Sequence, residues 1–152
     1  MKYLSFLFLL LIFSAFQPAP KSDTIDYFTG TYDEFLRAGR KSHKPMIIDF
    51  WASWCGPCKR MEAETFSDKN LVDYLNTNFL VYKLDIDSKD GADIVNKFGI
   101  QYFPTMMVTD YKANEVKRLK GFFTPSYLKK ELEDLNELFY LYQTKNNFVA
   151  NK

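Results

Sequence analysis

The sequence predicts a single α/β domain, and three observations carry that expectation. Helix-like and strand-like segments alternate from Asp23 to the C-terminus, which is the pattern of α/β proteins. No internal repeat or low-complexity linker interrupts them. At 152 residues the chain has the length of one domain and can bury a core without staples.

A first helix is expected from Thr31, which forms a capping-box pattern with Glu34. Tyr32, Phe35, Leu36 and Ala38 or Gly39 supply its apolar side, and "KSHKP" stops it. Met46 to Trp51 reads as a buried strand. Helical character resumes around Cys58 to Ala63, and a further capped helix starts at Ser67 or Asp68, with Leu71, Val72, Tyr74 and Leu75 in helical spacing. "FLVYKLDI" is the next strand. Ser88 to Phe98 reads as a helix that Gly99 terminates, and Thr105 to Thr109 and Glu115 to Leu119 as two strands joined through "DYKAN". The last helix has Thr124 as cap and Pro125 at its first position. Its apolar stripe of Leu128, Leu132, Leu135, Phe139 and Tyr142 is read as core packing.

The N-terminus is a different kind of segment. Lys2 precedes a 14-residue apolar run, Tyr3 to Phe16, short of the ~20 residues a membrane-crossing helix needs. Residues 1–20 therefore read as a secretory signal, with an uncleaved membrane anchor as the alternative, and residues 21–152 as the domain. Beyond Lys2 the chain balances 19 basic side chains against 19 acidic ones, without a block of either sign. This argues against a nucleic-acid partner.

Export to an oxidising compartment usually brings structural disulfides, yet the chain has only Cys55 and Cys58. A bridge across Gly56 and Pro57 closes too short a loop to stabilise much by restricting the unfolded chain. These cysteines are expected to react. If a strand ends near Trp51 and a helix begins near Cys55, the Cys55 thiol meets unsatisfied backbone N–H groups and the positive end of the helix dipole. Both favour thiolate, so Cys55 is the nucleophile. Cys58 lies one turn on, on the same side, as the resolving thiol, and Pro57 falls in the first turn, where its missing N–H costs little. Half of a zinc site is the competing reading. A structural zinc wants four ligands, and the only histidine is His43, in a polar turn. No metal is expected.

Asp49 is the other outlier. "MIIDFW" surrounds it with apolar residues, and a carboxylate buried without a partner is costly. A raised pKa relieves that cost and would let Asp49 accept the proton of Cys58. The competing reading places Asp49 at a solvated strand end.

"DFWASWCGPCK" resembles the active-site signature of the thioredoxin family, and other stretches match it in the right order. "YKLDID" resembles the family's next central strand and places Lys83 near the buried aspartate. "FGIQYFPT" resembles the segment with the cis-proline, which puts that role on Pro104. Gly121 matches the glycine beside the active-site groove. The similarity spans roughly Ile47 to Leu135 and implies a thioredoxin fold, a central mixed sheet flanked by helices. "KPMIIDFWASWCGPCKRMEAETFSD" is also similar to the periplasmic C-terminal domain of the transmembrane thiol-disulfide interchange protein. Phe103 before the proline, Phe122 after Gly121 and the long last helix depart from the family's common pattern.

The resemblance implies a thiol-disulfide oxidoreductase, without a cofactor, that reduces disulfide-bonded protein substrates outside the cytoplasm. Its electron donor would be a membrane thiol-disulfide protein, and the chain would act as a monomer. Trp54, Gly56, Pro57, Tyr102, Phe103, Pro104, Gly121 and Phe122 would border the substrate, and the Phe103 backbone could pair with an extended substrate segment. The alternatives are a binding or chaperone module without redox turnover and a disulfide oxidase or isomerase. Plain packing competes as the reading of the aromatics.

Overall fold

The computed structural model describes residues 22–150, with side chains to residue 141. The proposed signal or anchor, residues 1–20, lies outside the described residues, as does the side chain of Tyr142. Along the chain run α1 (Tyr32–Ser42), β1 (Met46–Trp51), α2 (Gly56–Arg60), a π-helical turn (Met61–Thr65), α3 (Lys69–Asn78) and β2 (Leu80–Asp85). After them come α4 (Lys89–Phe98), β3 (Thr105–Thr109), β4 (Glu115–Lys120) and α5 (Pro125–Ala150).

Each start signal in the sequence has a physical counterpart. Thr31 and Glu34 make the reciprocal capping box of α1, Asp68 caps α3, and Ser88 caps α4, which Gly99 closes in a left-handed conformation. α2 begins at Gly56, two residues earlier than its apolar pattern suggests, because Cys55 takes the N-cap position and Pro57 the first turn. The helical path then widens into the π turn, where the Phe66 N–H reaches back five residues to the Met61 carbonyl. At the other end α5 runs to Ala150, past the expected end near Tyr142.

The strands form one sheet in the order β2-β1-β3-β4. β1 pairs parallel with β2 and antiparallel with β3, so it is flanked on both sides and has no free edge. This explains why its sequence is a near-continuous apolar run, since both faces are covered. Met46, Ile48 and Phe50 face one core cluster with Phe35 of α1 and Ile94 of α4. Ile47 faces the other, with Leu71 and Leu75 of α3 and Leu128 and Leu132 of α5. Each such buried leucine contributes about 1.5–3 kcal/mol. Gly39 lets α1 settle onto β1, for a Cβ there would lie 2.0 Å from Met46 Sδ. Strand alternation puts Asp49 on the Ile47 side, where its Cα is registered with Lys83 on β2 and Met106 on β3. No helix among the described residues is long and apolar enough to cross a membrane.

Candidate active site

Cys55 and Cys58 form a disulfide at the junction of β1 and α2, with sulfurs 2.01 Å apart. The tight turn after the strand is closed by the Cys55 N–H donating to the Ala52 carbonyl, and the Cys58 N–H donates to Cys55 Sγ at 3.2 Å. An N–H placed there favours the thiolate form of Cys55 in the reduced pair. Gly56 and Pro57 lie exposed beside it.

Behind Cys58 is a cavity of about 80 Å³, lined by Asp49, Lys83, Pro104, Trp51, Lys59, Met61, Glu62 and Phe66 together with Cys58 itself. Most of its wall is apolar, from Trp51, Met61, Phe66 and Pro104, and the polar groups that reach it come from Asp49, Lys59, Glu62 and Lys83. The structure thus brings Asp49, Lys83, Cys58 and Pro104 to one enclosure. Asp49 is only 3% exposed, so the solvated strand end is ruled out. Burial pushes its carboxyl up to about 7, the Lys83 ammonium pulls it down, and the Glu62 carboxylate pushes it up. Desolvation wins because the Lys83 charge is already answered by Glu62 Oε2, 2.5 Å from Nζ. The ammonium also lies over the faces of Trp51 and Tyr27, at 4.5 and 5.3 Å from their centroids.

The cis peptide Phe103–Pro104 faces this site from the segment before β3. Gly121 closes the loop after β4, donating its N–H to the Pro104 carbonyl at 2.8 Å. Its φ of 93° is what demands glycine there. Thr65 at the end of the π turn donates its hydroxyl to the Phe123 carbonyl at 2.5 Å, which ties the helix carrying the cysteines to the Gly121 loop. Trp54 stands 62% exposed, with its indole N–H on Asp87 Oδ2 at 2.7 Å and its ring edge-to-face with Phe103 at 6.1 Å. Tyr102 is also exposed. Phe122, by contrast, packs against the core and under the Arg60 guanidinium, 4.1 Å from its ring centroid. His43 occupies the left-handed cap of α1 with its ring against Tyr111.

Glu62 is the site residue that sequence reasoning missed. It follows Cys58 by four positions, so helical spacing alone places it on the same face. Its removal has a definite sign: Glu62→Gln takes away a charge that raises the Asp49 pKa and frees Lys83 to face the carboxylate. The Asp49 titration is expected to move below about 7, which the pH profile of exchange at the cysteines would record.

Residues 32–136 match the family profile of the thioredoxin-like domain, and the chain belongs to that family. Thiol:disulfide interchange protein DsbD of Photorhabdus laumondii is 28% identical over 99 residues, covering 63% of this chain and 17% of that protein. Protein disulfide-isomerase erp38 of Neurospora crassa is 29% identical over 103 residues, 68% of this chain and 27% of its own length. The chain thus spans about a quarter or less of these two relatives. Thioredoxins are also among its relatives. A solved putative disulphide-isomerase from Bacteroides thetaiotaomicron superposes with a TM-score of 0.65 at 28% identity, over 75% of this chain and 94% of that one. The expected thioredoxin fold is borne out, and fold, cysteine pair and relatives together support thiol-disulfide oxidoreductase chemistry.

Proposed function

We propose that this chain reduces disulfides of protein substrates outside the cytoplasm, passing two electrons through Cys55 and Cys58. The observation that carries the reading is the shared enclosure of Cys58 and a buried carboxyl whose pKa is about 7, since it supplies a proton acceptor for Cys58 and not for Cys55, which does not line that enclosure. In the first step the Cys55 thiolate attacks a substrate sulfur, and one substrate thiolate leaves. Asp49 then takes the Cys58 proton, the Cys58 thiolate attacks Cys55 Sγ, and the second substrate thiolate departs. The chain is left oxidised, as the structure has it, and a membrane thiol-disulfide donor restores the dithiol. Trp54, Tyr102 and Phe103 form the rim on which substrate rests, with the Phe103 backbone open to an added strand. The N-terminal apolar run supports export to the periplasm, by a cleaved signal or a retained anchor.

The direction we propose is supported by the lack of charge between the cysteines. Gly56 and Pro57 add no charge between the cysteines, whereas disulfide donors rely on strong thiolate stabilisation. Equilibration with glutathione is expected to give a potential near that of thioredoxin, about −270 mV, and away from the about −120 mV of a dedicated oxidant. Turnover of insulin disulfides with dithiothreitol as donor is the companion assay. A potential near the oxidant's would replace reduction by disulfide insertion, and absent turnover would favour a binding module.

A further inference from the structure

Tyr27 lies ahead of α1, joined to the sheet edge by a parallel bridge to Val81. Its neighbour Phe28 fixes the segment by donating its N–H to the Val81 carbonyl at 2.7 Å. The ring packs on the core cluster that includes Ile47, Met61 and Phe66. Its hydroxyl is the buried side-chain oxygen that meets no hydrogen-bond partner among the described residues. Buried phenols usually find a partner, so an unanswered one asks for an explanation.

The surroundings supply it. Tyr27 and Trp51 present their faces to the Lys83 ammonium, which rests on Glu62. The groups acting on Tyr27 are Asp49 from β1, Lys83 from β2 and Glu62 from the π turn, and Lys59 of α2 lines the adjoining cavity. Burial first, then the charges of Asp49 and Glu62, hold the phenol far above its ordinary ionisation. It is therefore a permanent O–H donor within the fields of Asp49 and Glu62, two carboxylates that, once ionised, only accept. Tyr27 does not line the cavity at Asp49, but the cavity leaves the carboxyl room for a small movement.

We propose that Tyr27 is a positioning residue of the proton-accepting site: its hydroxyl donates to the Asp49 carboxylate once that group is ionised, while its ring keeps the Lys83 ammonium on Glu62. The purpose assigned to it rests on the oxidoreductase reading, but the contact itself does not. A donor that meets only the charged form makes ionisation of Asp49 easier and keeps the carboxylate available while Cys58 is being deprotonated.

The test is a carbon-13 NMR titration of the Asp49 carboxyl in the oxidised full chain, with and without Tyr27→Phe. The substitution keeps the ring on Lys83 and removes one oxygen. The Asp49 midpoint is expected to rise by about one pH unit, with thermal stability below that midpoint equal or higher, since the hydroxyl is unanswered while Asp49 is protonated, and lower above it. An unchanged or lowered midpoint overturns the proposal, and so does a variant that loses stability without a shift or fails to fold, because either makes the hydroxyl structural. Insulin reduction by the wild-type chain is read separately: its absence removes the oxidoreductase reading and leaves the titration result standing.

Discussion

Cys55→Ser is expected to reduce disulfide exchange to background, whereas Cys58→Ser is expected to attack normally and then stop as a covalent adduct. The two sulfurs are bonded and both nearly buried, with exposures of 4% and 6%, so access alone does not separate them. Their surroundings do. Cys55 caps α2, accepts an N–H at its sulfur and neighbours the exposed Trp54 and Gly56. Cys58 backs onto the enclosure with Asp49. Removing the first sulfur leaves nothing to form a mixed disulfide, and removing the second leaves a mixed disulfide that nothing resolves. Non-reducing gels of the variants, expressed as the full chain, would show partners trapped on Cys58→Ser. Adducts on Cys55→Ser alone would reverse the roles.

Asp49→Asn is expected to have two large effects with different pH dependence. Resolution of the mixed disulfide should slow by about 10²- to 10⁴-fold, the range a positioned general base supplies, with first attack much less affected. Stopped-flow kinetics that slow both steps equally would make Asp49 structural. The second effect is on stability. The folded chain holds the Asp49 proton up to about 7 against an ordinary value of 3.8, so between those values the folded state binds more protons than the unfolded one. The contribution of Asp49 to stability is then fullest below about pH 4, falls as pH rises through 7 and is level above it. A shift of that size corresponds to about 4 kcal/mol. Asparagine carries no such penalty, so the variant should gain on the wild type at pH 8 and not at pH 4. Urea unfolding of the oxidised proteins at the two pH values measures it, and with the thiols bonded the carboxyl titrates outside their coupled set.

The elements that local chemistry determines were legible in the sequence. The Thr31–Glu34 box, the Ser88 and Gly99 ends of α4 and the Thr124-Pro125 start of α5 each rest on contacts within a few residues, and β1 and β3 emerge with their expected bounds. The π turn was not legible, because a widened helix is decided by what its end is tied to, here the Thr65 hydroxyl on Phe123, 58 positions away. The cysteines and Asp49 stood out as chemical exceptions to their surroundings. Glu62 did not, since a glutamate on a short helix ordinarily reads as a solvated face, and its importance depends on Lys83 arriving from β2. Tyr27 belongs to no periodic pattern at all. The aromatics divide: Trp54 and Tyr102 are exposed at the rim, while Phe122 is partly buried under Arg60. Packing accounts for the last.

Because β1 has a neighbour on each side, its amides are locked in the middle of the sheet. Local fraying releases edge and terminal hydrogen bonds first, and central ones open only when the whole domain does. The amides around Asp49 should therefore be among the slowest to exchange with deuterium, at a rate set by global unfolding. The carboxyl proposed to accept the Cys58 proton is thereby fastened to the least yielding part of the molecule, and any motion that the proposed substrate requires falls to the exposed Trp54 side, leaving the position of the acid undisturbed from one turnover to the next.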